Sequence, residues 1–377
     1  RRRRTLAVVF QRGANDGLNT VVPHGERAYY DARPTIAIAK PGDGSAAALD
    51  LDGHFGLHPA LEPLMPSWKD GSLAVVHAVG SPDPTRSHFD AQDFMESGTP
   101  GRKATDDGWM NRALLAAPDA AATPLRAVSL TPNLPRALQG RAPAVATSGL
   151  REFGLRPVAG TSVAHGFEDM YAAAVDGALR GAGREAFEAI DVLKRSDVAS
   201  QPVDNGASYP AVPLGQALRQ IAQLVKADVG LELAFAEMGG WDTHAAQAGQ
   251  QAARLRELGA ALAAFQRDLG SRAADVVVVT LTEFGRTVRE NGNRGSDHGH
   301  GSVSLVLGGP VRGGRVLGHW PGLHGHDLYE GRDLAVTTDF RDLLAELLVR
   351  HLGVGEVGSV FPGFTARPKS FAGVLRT

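Results

Sequence analysis

Three stretches, Leu6 to Phe10 (LAVVF), Leu73 to Val79 (LAVVHAV) and Val276 to Leu281 (VVVVTL), are almost unbrokenly apolar and only five to seven residues long. A strand with one wet face alternates polar and apolar residues, whereas a strand covered on both faces does not need to. The runs are too short for a membrane span. They therefore predict strands of a sheet with helices packed on both sides. Leu125 to Leu130, Ala144 to Thr147, Leu231 to Ala236 and Ser302 to Leu307 add further strands. Between them apolar residues recur at helical spacing: Leu214, Leu218, Ile221 and Val225, then Leu255, Leu258, Leu262, Phe265 and Leu269. A last helix carries Phe340, Leu343, Leu344, Leu347 and Leu348 inward, with Asp339 as its cap and Gly353 as its stop. Pro59 to Trp68 and Trp109 to Ala117 read as short helices. The alternation predicts an α/β fold with an open, largely parallel sheet flanked by helices. The 377 residues are read as one domain over 1–377, with a mainly helical insert or cap at about 160–228.

Composition narrows the partners. With 39 Lys and Arg against 41 Asp and Glu, a formal charge of −2 gives no electrostatic case for nucleic acid. No apolar run reaches the roughly 18 residues of a membrane helix, so no membrane insertion is expected. The basic block Arg1 to Arg4 reads as a solvated terminus, either a trimmed end or what remains beside a removed export signal. The absence of cysteine excludes disulfides, thiolate nucleophiles and Cys-type zinc sites.

Loops that leave the carboxyl ends of parallel strands share one edge of the sheet, so residues distant in sequence converge there. Asp16 follows the first strand, within an Asn-Asp-Gly that is also a turn tripeptide in its own right. Ser81 to Asp93 (SPDPTRSHFDAQD) opens a helix through Phe89, Phe94 and Met95, capped by Ser87 or Thr85. A hydroxyl at such a helix start, with Arg86 and His88 beside it, can serve as a plain cap or attack a phosphoryl or sulfuryl group. Met238 to His244 (MGGWDTH) sets Asp242 and His244 just past another strand. Asp242 or Thr243 could cap the next helix, which would leave His244 and Trp241 unexplained.

Thr280 to His300 (TLTEFGRTVRENGNRGSDHGH) delivers Glu283, Arg286, Asp297, His298 and His300. Imidazole nitrogens and carboxylate oxygens spaced by glycines suit a divalent cation held close to the backbone. The donors fit Zn²⁺, Mn²⁺, Mg²⁺ or Ca²⁺, as one ion or two. His77, inside a strand, reads as a core histidine, and glycines break up any helical pairing of His54 with His58. His319, His324 and His326 lie in a Gly-rich stretch, where any one could complete a coordination sphere.

The segments VVFQRGANDGLNTVVP, RSHFDAQDFMESG, GGWDTH, TEFGRTVRENGNRGSDHGHG and LVLGGPVRGG resemble the bacterial family catalogued as domain of unknown function 1501, over nearly the whole chain. That family is similar to the alkaline phosphatase and sulfatase superfamily. Its members set an early Asp, a Ser, Thr or Cys nucleophile at a helix start, an Asp and His pair, and a late Asp-His-Gly around one or two metals. The resemblance implies an alkaline phosphatase-like fold with Asp16, Asp242, His244, Asp297 and His298 as metal ligands; it does not reach His300, which stays a second-tier candidate from the loop itself. It places Ser87 at the nucleophile position, with Ser81 and Thr85 as alternatives. Arg86, His88 or Arg286 would hold the anion, with Glu283 beside the metal. Asp242 and His244 are two apart, where the superfamily commonly has three residues between them, and no Cys-x-Pro-Ser-Arg occurs. Family members are typically made with a twin-arginine export signal, so a periplasmic or secreted location is expected. The implied activity is metal-dependent hydrolysis of phosphate or sulfate esters, on an anionic small molecule or glycan. The alternative is an envelope or polysaccharide-binding or assembly protein that keeps the fold and metal without the chemistry. In either case the 280–300 loop should fold back until Asp297 faces Asp16.

Overall fold

A computed structural model describes residues 2–103, 105–117, 123–150 and 188–376. In chain order its strands are Thr5–Gln11 (β1), Val21–Val22 (β2), Leu49–Asp50 (β3), Gly56–Leu57 (β4), Leu73–Gly80 (β5), Ala127–Ser129 (β6), Val145–Ala146 (β7), Leu233–Met238 (β8), Val276–Thr282 (β9), Ser302–Gly308 (β10), Arg315–Leu317 (β11) and Thr338–Asp339 (β12). Nine form one sheet in the order β11-β5-β10-β9-β1-β8-β6-β7, with β12 also pairing β5, and β2, β4 and β3 make a small sheet of their own. β1 lies at the centre, parallel to both neighbours, with Val8 opposite Phe235 of β8 and Val279 of β9.

Among the described strands of the large sheet, β10 alone runs against the others, antiparallel to β9 and to β5. This reversal matters for the site. β9 leaves the sheet at its carboxyl edge, and β10 re-enters from that same edge, so residues 283–301 never cross to the far side.

Both faces are covered, which is why the strands are apolar throughout. Ala7 and Val9 join Leu218, Ile221, Leu258 and Leu262 in one core. Leu6, Val8 and Phe10 join Trp109, Phe340, Leu343 and Leu347 in the other. Leu262 and Leu343 are fully buried, and truncating either to alanine costs about 2–5 kcal/mol through lost burial and the cavity left behind.

The helix Pro213–Lys226 buries Leu214, Leu218, Ile221 and Val225 and packs on β8 and on the helix Gln247–Leu269. It belongs to the layer over the sheet, and the part of the expected insert at 160–187 lies outside the described residues. Gln247–Leu269 begins at Ala246 (φ 46°) with no side-chain cap, so neither Asp242 nor Thr243 has a capping role. The last helix is Phe340–Glu346, with Asp339 accepting from the Arg341 amide; a wider turn over Leu347–Leu352 carries it to Gly353 at φ 76°. The stretch expected as one short helix from Pro59 is a 3-10 turn, Pro59–Leu64, followed by the α-helix Met65–Lys69, with Pro63 inside the first. His77 is a satisfied core histidine: Nε2–H donates to the Val21 carbonyl at 2.9 Å, and Nδ1 accepts from the Ala78 amide at 3.0 Å. Among the described residues no helix is long and apolar enough to cross a membrane.

Candidate metal centre

Three loops at the carboxyl edge supply the cluster. β5 leads to Ser87, the N-cap of the helix His88–Ser97. After β8, the buried Trp241 indole donates to the Met238 carbonyl at 2.9 Å, which pins the turn that projects Asp242 and His244. After β9, the chain doubles back as a narrow ribbon. The Gly299 amide donates to the Gly285 carbonyl at 2.8 Å, and the Gly285 amide to the His300 carbonyl at 2.8 Å. A Cβ at position 299 would run into the Arg286 carbonyl, so the ribbon requires glycine there.

The ribbon delivers His298 into contact with two other imidazoles. Its Nε2 lies 3.0 Å from Nε2 of His88, 3.0 Å from Nε2 of His244 and 3.2 Å from Asp242 Oδ1. His244 Nε2 is 2.9 Å from Asp242 Oδ1, and His88 Nε2 is 3.6 Å from Asp242 Oδ2. The donor atoms of His88, Asp242 and His298 all fall within 4.8 Å of one another.

Each ring is held from behind by its other nitrogen. His88 Nδ1 meets Glu283 Oε1 at 2.7 Å, His244 Nδ1 meets Asp297 Oδ1 at 2.9 Å, and His298 Nδ1 meets the Arg86 carbonyl at 2.9 Å. All three partners can only accept, so in the neutral rings the proton sits on Nδ1 and the lone pair on Nε2. The lone pair of His298 then lies at hydrogen-bond distance from those of His88 and His244, beside the Asp242 carboxylate, with no proton on any of the three nitrogens. That arrangement is repulsive alone and favourable around a cation, and imidazoles backed by carboxylates or carbonyls are the usual way of orienting metal ligands. Three nitrogens and a carboxylate oxygen fit a divalent transition ion.

The surrounding charges agree. Burial pushes the Glu283 carboxyl up, but hydrogen bonds from His88, Gln92 and the Gly13 amide win and hold it below the usual carboxylate range. Burial also raises Asp242, and the Arg286 guanidinium outweighs it to give a net lowering. Asp297 is lowered, first by its bond from His244 and then, against opposing desolvation, by Asn291. His88 is raised, chiefly by Glu283, whereas His298 is lowered, chiefly by burial. A proton on His88 Nε2 would be shared with His298 Nε2, so proton and cation compete for the same atoms.

The sequence candidates divide accordingly. Asp242, His244 and His298 meet in the cluster, and His88, expected beside the anion, lies among them. Asp297 stands one step back, its Oδ1 taken by His244 and by Asn291 Nδ2 at 3.0 Å. Glu283 occupies the equivalent place behind His88. Arg286, fully buried, donates through Nη1 to Asp242 Oδ1 at 2.7 Å and through Nη2 to the Ser296 carbonyl, so it steadies a cluster residue.

Asp16 is placed elsewhere. Arg33 donates to its Oδ2 at 2.5 Å and its Oδ1 at 3.0 Å, Gln247 to Oδ2 at 2.5 Å, and the Leu18 amide to Oδ1 at 3.2 Å. Both oxygens are consumed, and Asp297 does not face it. Ser87 is a helix cap whose Oγ accepts from the Asp90 amide at 3.5 Å. The Arg86 guanidinium is committed to Asp333 at 2.6 Å and Glu330 at 2.7 Å, and only its carbonyl reaches the cluster. His300 stacks on Tyr329, ring centres 4.4 Å apart. The sequence reading missed Arg33, Gln92, Asn291 and Asp333. Gln92 alone had a signal, lying one helical turn after His88.

The family described as "Protein of unknown function (DUF1501)" matches residues 3–361. No curated protein matches the sequence. Among solved structures, the C-terminal periplasmic domain of EcEptC from Escherichia coli, in complex with Zn, is similar at 12% identity and a TM-score of 0.41, over 97% of this chain and 88% of that one. On the family match, which spans the His/Asp cluster and every described strand of the sheet, the chain belongs to the DUF1501 family.

Proposed function

We propose that the chain is a metal-dependent hydrolase of phosphate or sulfate esters that acts outside the cytoplasm. One observation carries the reading: His298 Nε2, its ring fixed by the acceptor behind it, lies 3.0 Å from Nε2 of both His88 and His244 and 3.2 Å from Asp242 Oδ1. His88, His244, His298 and Asp242 would hold the ion, Zn²⁺ fitting this donor set best. A divalent cation there supplies Lewis-acid chemistry, drawing negative charge off an ester oxygen. The chain's own residues do the rest. Glu283 and Asp297 keep the rings of His88 and His244 in the ligating tautomer. Ser87 adjoins His88 at the start of the helix, and its long 3.5 Å capping bond leaves the hydroxyl free to turn toward an ester.

The opposing observation is that Arg86 and Arg286 are both spent on carboxylates, which leaves neither to clamp an anion. It favours a second reading, a metal-bearing binding or assembly protein for an anionic glycan. Metal analysis of the purified protein, followed by a panel of aryl phosphate and sulfate esters before and after chelation, separates the two. The hydrolase reading expects one or two equivalents of metal and turnover that chelation abolishes. Bound metal with no turnover, and retention on an acidic polysaccharide column, would favour the binding protein. Turnover untouched by both chelation and Ser87→Ala would overturn the mechanism.

A further inference from the structure

Asp333 is fully buried, hydrogen-bonded to Arg86 and ion-paired with its sequence neighbour Arg332. Arg86 donates to its Oδ2 from Nε at 3.1 Å and from Nη2 at 2.6 Å. Arg332 Nε lies 3.4 Å from its Oδ1, an ion pair without a hydrogen bond. Both arginines also touch His298 through atoms other than those held by Asp333. The Arg86 carbonyl takes the Nδ1 proton of His298 at 2.9 Å, and Arg332 Nη2 donates to the His298 carbonyl. The backbone closes the clamp: Asp333 pairs with Thr287, whose amide donates to the Asp297 carbonyl at 2.9 Å.

We infer that Asp333 is a positioning residue for His298, fixing the ring and its Nδ1–H tautomer by tying the Arg86 and Arg332 segments together on either side of it. This rests on the reading of the cluster as a metal site. His88 and His244 are oriented by carboxylates that touch them, Glu283 and Asp297. His298 has a neutral carbonyl instead, and a carbonyl orients a ring only as firmly as its own segment is held. The buried carboxylate that holds it is Asp333, so the third imidazole has its charge one link further out. Glu330 binds the same guanidinium from the exposed side and carries little of this, because a solvent-exposed pair contributes little to fixing geometry.

Titration with Co²⁺ alone tests the clamp, since its visible spectrum reports the number and geometry of the imidazoles. The parent chain should bind Co²⁺ with a spectrum of a nitrogen-rich site. Asp333→Asn should weaken binding about 10- to 100-fold, as loss of outer partners does elsewhere, and change the spectrum, whereas Glu330→Gln should alter neither. If Asp333→Asn does not fold, Arg86→Lys, which keeps the charge but loses the two-nitrogen grip, should show the same weakening. A folded Asp333→Asn or Arg86→Lys with parental affinity and spectrum overturns the inference while leaving the metal site standing. A parent chain that binds no Co²⁺ overturns both.

Discussion

Replacing Asp16 separates a structural carboxylate from a ligand. The Asp16 and Arg33 side chains are 1% and 0% exposed, joined at 2.5 Å and 3.0 Å. Asp16→Ala strands a guanidinium with no water to take over, a change that costs about 3–5 kcal/mol when one partner of a buried pair is removed. Arg33 retains the Val288 carbonyl at 2.8 Å, the Thr287 carbonyl at 2.8 Å and Asn19 Oδ1 at 2.7 Å. These offset part of the loss and put the expected figure near the lower end of that range. Gln247 loses an acceptor too, and the short turn Gly17–Thr20 loses its cap, at about 1 kcal/mol. Urea unfolding should therefore show a midpoint shift worth roughly 3–4 kcal/mol, with metal stoichiometry and affinity in the folded protein unchanged. A variant that unfolds like the parent but has lost its metal would refute the reasoning and restore Asp16 to the ligand set.

Two further outcomes test the site and the core. Glu283→Gln keeps the shape behind His88 but removes the charge that Nδ1–H donates to, so metal affinity by competitive chelation should fall about 10- to 100-fold, and an unchanged affinity would refute the ring-orienting role. Burial lowers His58, His77 and His351 from 6.5 to about 4 each. Because the folded value is the depressed one, each contributes stability that is complete above 6.5 and lost as pH falls toward 4, by roughly 3 kcal/mol per group. His77, fully enclosed in the core, has burial as the largest cause, and a proton on its Nδ1 would also point at the Ala78 amide that it accepts from. Thermal midpoints should fall between pH 6.5 and 4, and His77→Gln should flatten that slope; a midpoint constant over this window would exclude it.

The sheet and its edge were legible because they depend on patterns the chain repeats. Runs such as Val276 to Leu281 announce strands covered on both faces, and the polar residues after them had to share an edge. Short strands gave no such signal: Arg315–Leu317 and Thr338–Asp339 join the sheet by pairing with β5. The direction of β10 was likewise invisible, yet it keeps 283–301 over the site. Residue types in the loops after the strands pointed to Asp242, His244 and His298, and the fold brings these three side chains together. What sequence could not rank was depth. Asp16 and Asp297 have the same chemistry as Asp242, and only the neighbours that consume their oxygens, Arg33 for one and His244 for the other, tell them apart. Asp333 was hidden for the same reason, its role existing only through its neighbour Arg332 and an arginine, Arg86, far away in the chain.

The charge of the cluster bears on what it can select. Asp242, Glu283 and Asp297 all sit below the usual carboxylate range and are ionised at neutral pH, and Arg286 is the cation among them. Three negative charges and one positive leave a net −2, which a dication cancels. Loaded, the site would have no surplus positive charge, and Arg86 cannot add any while Asp333 and Glu330 hold it. A doubly charged phosphate monoester would then bring two negative charges to a site with no net positive charge to receive them; at about 4 kcal/mol for each pair of unit charges 4 Å apart at an effective dielectric of 20, it is repelled by each carboxylate through two such pairs. A singly charged sulfate ester or phosphate diester would meet about half of that. Aryl sulfates and diesters should accordingly outcompete aryl phosphate monoesters in kcat/KM at pH 8, and the gap should narrow near pH 5.5, where the monoester itself carries one charge. A preference for the dianion at pH 8 would mean that a cationic group not yet identified faces the substrate, and the balance of charge drawn from these residues would be wrong.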